Sequence, residues 1–284
     1  MFKIINYFFQ SILIYLFFLV AIILGLKISR RIFGTLFSFL GPFFKSKKIL
    51  SNNLKIYSQN ISEDKIKVIS NNMWKNYGMT FIEYMFLKYF KKQSTHISIT
   101  GENNLQILKK GKPVIFISGH FANFELMSME ITKRNIKLAT IYRPLNNIFL
   151  NPIMEYLRKK YVCKNQIKKG INGVRDAIGY IKKDHSIALM IDQRVSEGEK
   201  IDFFGKPALT TTLPAQLSNK YKLNIVPVFI ERIGIDKFHL EFQKIIKPEN
   251  FNDKLELTKK LNNVLEEMIV RNPNQWIWSH DRWK

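Results

Sequence analysis

Two residues with the potential for acid–base chemistry, His120 and Glu125, lie in one short stretch of the chain. The stretch follows an apolar run, Pro113–Ser118, and precedes a helical pattern that begins near residue 122. A histidine in this turn can deprotonate a hydroxyl near neutral pH, and a carboxylate in the first turn of the helix can reach back to orient the imidazole. Free N–H groups at the helix N-terminus can bind an oxyanion. The alternative is a turn histidine followed by a glutamate that only complements the helix dipole.

The elements that must position this pair alternate between strands and helices. Helical patterns lie near residues 62–90, 102–110, 122–133, 146–161, 171–183, 211–221 and 254–271. Apolar runs predict strands at His96–Thr100, Pro113–Ser118, Lys137–Tyr142, Ser186–Ile191, Asn224–Glu231 and Lys237–Lys244. This alternation predicts an α/β fold with a mixed, largely parallel sheet flanked by helices. Active sites of such sheets lie beyond the carboxyl ends of the strands, which directs attention to the residues after Ser118, Tyr142 and Ile191.

The N-terminal segment is expected to attach the chain to a membrane. Residues 7–26 carry no charge and, as a helix rising about 1.5 Å per residue, would be about 30 Å long, the thickness of the hydrocarbon core of a bilayer. A cleaved signal peptide and a buried core helix are the alternatives. Basic residues follow the segment and the first acidic residue is Glu63, so the positive-inside rule predicts a single-pass anchor with the remaining chain in the cytoplasm.

The next segment, residues 28–44, alternates basic and glycine positions with large apolar side chains. This pattern predicts an amphipathic segment in the headgroup plane, with its cations on lipid phosphates. We therefore divide the chain into a membrane anchor, residues 1–44, and a catalytic domain, residues 45–284.

Composition narrows the classes of partner and cofactor. The 284 residues include 45 basic and 22 acidic ones, a net charge of +23 that favours an anionic partner. Anionic membrane lipid is favoured over nucleic acid, because no acidic residue precedes Glu63 and no helix-turn-helix or RNP-like pattern stands out. The single cysteine, Cys163, excludes an intrachain disulfide and a cysteine-based zinc or iron–sulfur site. Because the sequence also lacks a P-loop and a cysteine/histidine cluster, we expect neither a metal nor a nucleotide cofactor.

The spacing of His120 and Glu125 fits the H-x4-D/E signature of the glycerolipid acyltransferase superfamily. The surrounding string GHFANFELM resembles that of the late acyltransferases of lipid A biosynthesis, the lauroyl and myristoyl acyltransferases. Further blocks resemble the same family in the same order: the helix that holds Arg158 and residues 139–147, 188–194, 203–218 and 272–284. The resemblance therefore covers essentially the whole chain.

The resemblance implies roles for individual residues. His120 would be the general base and Glu125 its partner, with Arg158 and Asp192 as further functional positions. For Arg158 we expect a contact with the acyl carbonyl or an acceptor phosphate, and for Asp192 the orientation of that arginine or of a sugar hydroxyl. Further substrate-binding candidates, the first of which also shapes the turn, are Asn123, Arg143, Gln193 and Arg194.

The implied reaction moves a fatty acyl group from acyl carrier protein to a hydroxyl of a lipid A precursor. In the family that hydroxyl belongs to a 3-hydroxyacyl chain, so the product is an acyloxyacyl ester, made at the cytoplasmic face of the inner membrane without a cofactor. Two alternatives remain: a related acyltransferase that acts on another membrane glycolipid or a lysophospholipid, and a non-catalytic, basic, membrane-tethered binding module. Acyl chain length and the position of the acceptor hydroxyl stay open.

Overall fold

The structure of the protein is a computed structural model that describes residues 2–44 and 47–284. Its strands are β1 (Ile97–Thr100), β2 (Ile115–Ser118), β3 (Leu138–Tyr142), β4 (Asn165–Lys168), β5 (Ser186–Met190), β6 (Glu199–Phe203), β7 (Lys206–Thr210), β8 (Ile225–Ile233) and β9 (Lys237–Phe242). Seven of them form one sheet in the order β1-β9-β8-β2-β5-β3-β4. Strands β8, β2, β5, β3 and β4 run parallel, whereas β9 is antiparallel to β8 and parallel to β1. The predicted fold class, α/β with a mixed and largely parallel sheet, is confirmed.

Helices flank the sheet. In chain order they are α1 (Phe2–Phe44), α2 (Lys47–Tyr57), α3 (Glu63–Glu83), α4 (Leu87–Lys92), α5 (Glu125–Lys133), α6 (Asn151–Leu157), α7 (Ile171–Ile181), α8 (Leu213–Tyr221) and α9 (Lys254–Arg271). Of these, α5 to α8 lie between strands of the sheet along the chain. The helical pattern at 102–110 is a 3-10 helix, and the pattern at 146–161 contains α6 and a π-helical turn, Arg158–Val162. Every side chain of β2 is buried, so the hydrophobic core lies on both faces of the central strands.

Three strands are absent from the sequence-based prediction: β4, β6 and β7. Each is short, and their sequences, NQIK, EKIDF and KPALT, contain too few apolar residues to form the runs that mark the other strands. The last two pair as an antiparallel hairpin outside the main sheet. Local propensity is weak here, and pairing with a neighbour determines the conformation.

The N-terminal helix is long and apolar enough to cross a membrane. Gly25, with φ of 74°, interrupts it, so α1 consists of a first part over residues 2–24 and a second part over residues 26–44. The break lies close to the boundary between residues 7–26 and residues 28–44, the segments that the sequence predicts to span the membrane and to lie in the headgroup plane. Residues 45 and 46, where the predicted catalytic domain begins, lie outside the described residues.

Both parts of α1 pack against the catalytic domain. In the first part, the Tyr15 hydroxyl donates to the Phe149 carbonyl at 2.7 Å, and the Tyr7 carbonyl accepts from the Asn147 side chain at 2.8 Å. In the second part, Arg30 is only 2% exposed and pairs with Glu83 on α3. The expectation that the cations of this segment all contact lipid phosphates is therefore wrong for Arg30, because a buried guanidinium needs a counter-charge within the protein.

Candidate active site

The register of the central strands brings two of the candidate residues together. Strands β2 and β5 are parallel neighbours in which Ser118 lies opposite Met190. His120 and Asp192 each follow these paired residues by two positions, so they leave the same edge of the sheet side by side. The His120 Nδ1 atom lies 2.8 Å from Asp192 Oδ1.

Asp192 holds the histidine at two points. Its Oδ2 atom accepts from the His120 backbone N–H at 2.8 Å and from the indole N–H of Trp276 at 2.9 Å. Its Oδ1 atom is hydrogen-bonded to Nδ1 of the imidazole. The carboxylate is only 2% exposed. Burial alone would raise the pKa of Asp192, but the adjacent imidazole and these donors hold it below its usual range.

The contact with Asp192 also changes the pKa of His120. Burial alone would lower the pKa of His120, but the charge and hydrogen bond of Asp192 raise it above the usual value, with a smaller contribution from Glu125. Because Nδ1 is engaged by a carboxylate, its proton is held there, and Nε2 is the nitrogen left to take a proton from a substrate. In this geometry Nε2 can accept a proton while Asp192 holds Nδ1.

Glu125 has different partners from those expected. One oxygen, Oε1, accepts from the Tyr84 hydroxyl at 2.5 Å and from Arg158 Nε at 2.7 Å. The structure therefore corrects the predicted pairing, since Asp192 and not Glu125 holds the imidazole. The physical reason is that Glu125 begins α5 and turns toward α3 and Arg158, whereas strand register places Asp192 beside the ring.

Arg158 lies at the end of α6 against two aromatic rings. Its guanidinium carbon is 5.8 Å from the ring centroid of Tyr84 and 5.6 Å from that of Tyr142. Burial alone would lower the pKa of Arg158, but Glu125 and Tyr84 together raise it above its usual value, while burial raises the pKa of Tyr84 well above its usual value. The site thus holds a permanent cation, a carboxylate and a neutral phenol in one hydrogen-bonded group.

A cavity of about 720 Å³ opens over these residues. His120, Glu125 and Arg158 line its polar part. Its apolar part includes side chains from the first part of α1 as well as from the catalytic domain, among them Ile14, Phe18, Phe81, Leu150, Met154, Leu189 and Leu213. The volume and the apolar wall suit a hydrocarbon chain whose reactive end lies beside the histidine.

The remaining predicted substrate contacts divide between the cavity and its surroundings. Arg143 and Gln193 line the cavity. Asn123 does not; it is 1% exposed and donates to Glu83 at 2.9 Å, a contact that agrees with its predicted role in shaping the turn. Arg194 also lies off the cavity, where its guanidinium donates to the Lys284 carbonyl at 3.0 Å.

Four residues near the site were not predicted: Tyr84, Trp276, Thr80 and Lys169. Tyr84 and Trp276 contact Glu125 and Asp192 directly, and Lys169 lines the cavity. Trp276 falls within the C-terminal block that resembles the lipid A acyltransferases, which is the signal that could have found it. Among the described residues, no group of three or more histidine, cysteine, aspartate or glutamate side chains could hold a metal ion.

Comparison with known proteins gives a consistent set of relatives. The family model described as bacterial lipid A biosynthesis acyltransferase matches residues 1–284. The chain is 24% identical over 258 residues to a lipid A biosynthesis palmitoleoyltransferase of Escherichia coli. The alignment covers 86% of this chain and 80% of the relative. It matches a lipid A biosynthesis acyltransferase of Shigella flexneri to the same extent. A crystal structure of a 1-acyl-sn-glycerophosphate acyltransferase from Thermotoga maritima is 14% identical, with a TM-score of 0.44 and coverage of 95% of this chain and 99% of that one.

Proposed function

Because the chain belongs to the bacterial lipid A biosynthesis acyltransferase family, we propose that it transfers a fatty acyl group from acyl carrier protein to a hydroxyl of a lipid A precursor. The observation that carries the proposal is the imidazole of His120, held at Nδ1 by Asp192 and placed in a largely apolar cavity. This arrangement supplies a base where a long acyl chain and a hydroxyl can meet. The proposed product is an acyloxyacyl ester.

The proposed step needs no covalent enzyme intermediate. The acceptor hydroxyl loses its proton to His120 Nε2 as its oxygen attacks the thioester carbonyl. The resulting tetrahedral intermediate collapses when the carbon–sulfur bond breaks, and the imidazolium returns the proton to the departing thiolate. Asp192 stabilises the imidazolium between these two transfers because its carboxylate lies 2.8 Å from Nδ1.

The negative charge of the intermediate requires a nearby cation or N–H donor. We assign this role to Arg158, which is held in the cavity by Glu125 and Tyr84. Fixing the guanidinium before the reaction begins avoids the cost of reorganising it at the moment when charge develops. Glu125 is therefore a residue that orients Arg158, and through its charge it also raises the pKa of His120.

The apolar helix and the charge of the chain support a proposed location. We place the protein at the inner membrane, with residues 7–26 as its apolar anchor and the catalytic domain on the cytoplasmic face. Ile14 and Phe18 support a cavity next to the membrane, because the same helix that is apolar enough for a membrane also forms part of the cavity wall. The net charge of +23 favours both anionic lipids and an acidic carrier protein as partners.

A panel of acceptors tests the acceptor class. Purified protein in detergent would receive radiolabelled acyl groups on acyl carrier protein, with a tetra-acylated lipid A precursor, a lysophospholipid or a mannosylated phosphatidylinositol as the acceptor. We expect labelled product only with the lipid A precursor. Product with one of the other lipids alone would replace the proposed acceptor. Absence of any product, together with salt-sensitive binding to nucleic acid, would contradict the proposal that the protein is an acyltransferase and would favour a basic binding module.

A further inference from the structure

One face of α3 holds the turn that carries His120, and we propose that Thr80 and Glu83 on that face are positioning residues for acyl transfer. The inference rests on the proposed function and adds to it. Thr80, Glu83 and Tyr84 are spaced three and four residues apart, which places them on the same side of a helix. Their partners are Ala122, Asn123 and Glu125, which lie two to five residues beyond the histidine.

Thr80 holds the most strained residue of the turn. Ala122 has φ of 42°, in the left-handed region that a residue with a Cβ seldom adopts. Its carbonyl accepts from Thr80 Oγ1 at 2.9 Å, and its N–H donates to the Gln275 carbonyl at 3.3 Å. Such a conformation persists only where the surroundings impose it, and here groups outside the turn hold both polar atoms of the residue.

The threonine hydroxyl is itself oriented. Thr80 is 6% exposed, and its Oγ1 also accepts from Arg232 Nη2 at 3.2 Å. Because a guanidinium has no acceptor, the arginine hydrogen fills a lone pair of the oxygen and leaves the hydroxyl hydrogen for the Ala122 carbonyl. The Thr80 hydroxyl therefore acts as the donor in its hydrogen bond to the Ala122 carbonyl.

Glu83 gives the turn a second fixed point. Its carboxylate is fully buried and accepts from the Asn123 amide at 2.9 Å. Arg30 Nε and both terminal nitrogens of Arg232 bond to the same carboxylate. Burial alone would raise the pKa of Glu83, but the two guanidiniums hold it below its usual range, so the anion stays charged and fixed.

These contacts fix the histidine side of the catalytic pair. Asp192 follows β5, whereas His120 belongs to the turn between β2 and α5, so a shift of the turn moves the base relative to its carboxylate. Arg30 belongs to the second part of α1, which means that the N-terminal helices also support the turn through Glu83. Substrate affinity depends on many other cavity residues, so we expect the loss of these contacts to lower kcat more than it changes KM.

The role of Thr80 is tested by comparing wild type with Thr80→Val, which keeps the side-chain shape and removes the hydroxyl. Thr80→Ser restores a hydroxyl, and Thr258→Val is the matched control, because Thr258 is buried in α9 and donates only to the Lys254 carbonyl of its own helix. We expect Thr80→Val to lower kcat by roughly ten- to a hundredfold, the order of loss caused by a small misplacement of a reacting group. KM should stay within about twofold, Thr80→Ser should recover most of kcat, and Thr258→Val should match wild type.

A second readout does not depend on turnover. Carbon-13 NMR of labelled histidine in detergent, assigned with His120→Ala, gives the titration of His120. We expect its pKa to fall toward the ordinary value in Thr80→Val and not in Thr258→Val, because a displaced turn weakens the bond to Asp192. An unchanged titration in Thr80→Val would overturn the inference, as would a kcat equal to that of wild type. Wild-type protein that transfers no acyl group while showing the expected titrations would contradict the proposed function and leave the role of α3 intact.

The pair Glu83 and Asn123 offers an independent test. Glu83→Gln leaves two buried guanidiniums with less negative charge, and Asn123→Asp places two carboxylates against each other. The double variant returns one carboxylate and one amide to the cluster in exchanged positions. We expect it to exceed either single variant in kcat by about tenfold or more, a coupling typical of directly bonded residues. Additive losses in the double variant would overturn the assignment of Glu83.

Discussion

Replacing Asp192 by asparagine tests how the base is held. The amide has nearly the shape of the carboxylate but only one acceptor oxygen. In the native protein Oδ2 accepts two N–H groups, from the His120 backbone and from Trp276, whereas Oδ1 accepts only the imidazole. The single oxygen of the amide therefore satisfies more donors in the Oδ2 position, and its NH2 group then faces His120 Nδ1.

This exchange reverses the hydrogen bond to the imidazole. An NH2 group that donates to Nδ1 requires the tautomer with its proton on Nε2, and that nitrogen can no longer accept a proton from a hydroxyl. A wrong-tautomer substitution of this type in another histidine-dependent active site lowers kcat by about 10⁴-fold. We expect a loss on the order of 10³–10⁴-fold in Asp192→Asn, with a small change in KM.

The assay is acyl transfer from charged acyl carrier protein to labelled acceptor, measured from about pH 5.5 to 9 so that it brackets the ordinary histidine pKa. The fall in kcat should accompany a lower pKa for His120, because the carboxylate charge that raises it is removed. Asp176→Asn is the control, since Asp176 is exposed on α7. If Asp192→Asn turned over within about threefold of wild type, with an unchanged pH profile, the assignment of Asp192 as the residue that orients the base would be refuted.

Three further predictions concern the same group of residues. In wild type, kcat/KM should rise with pH through a midpoint above 6.5, because the base acts only when neutral and its pKa is raised; a midpoint at or below 6.5 would contradict the coupling to Asp192. Glu125→Gln should lower kcat by about ten- to a hundredfold, the contribution of one charge-assisted hydrogen bond, and should lower the midpoint of the pH profile. Wild-type rates at every pH would show that the Glu125 carboxylate has no role in the reaction. Trp276→Phe should cost about tenfold in kcat, whereas Trp278→Phe, whose indole donates to the Pro273 carbonyl instead, should not; equal effects would mean that the indole contact with Asp192 has no catalytic consequence.

The sequence pattern predicted the fold class and the position of His120 between a strand and a helix. Strand-like and helix-like runs predicted six of the seven strands of the main sheet, because buried parallel strands consist of continuous apolar residues. The run before His120 and the helix after it are observed as β2 and α5. The position of His120 in the turn between them is thus predictable from local pattern alone.

The partner of the base was not predictable in the same way. Glu125 was favoured because it is near His120 in sequence, but the imidazole is bonded to Asp192, which lies 72 residues away. That contact depends on β2 and β5 being neighbours with Ser118 opposite Met190, and strand order is a tertiary property that the periodicity of one sequence does not specify. The resemblance to a known family marked Asp192 as a functional position, but we expected it to orient Arg158 or a sugar hydroxyl and not the imidazole.

The contacts between α3 and the turn that carries His120 could not be predicted, for the same reason. Thr80, Glu83 and Tyr84 occur within a helical pattern whose apolar positions predict packing, and nothing in that pattern indicates which helix face meets the active site. Arg30 was expected at the lipid surface because its neighbours are basic and apolar. Its burial follows from Glu83, a charge that is distant in sequence and adjacent in space.

The most direct test of the account is a single comparison of wild type with His120→Ala. Both proteins would receive a radiolabelled tetra-acylated lipid A precursor and acyl carrier protein charged with chains of several lengths, in detergent, after equal folding and membrane fractionation have been verified. We expect an acylated lipid A product with wild type, a preferred chain length, and no product above background with His120→Ala. Product from the variant at a rate near that of wild type would contradict the central claim that His120 is the base for acyl transfer.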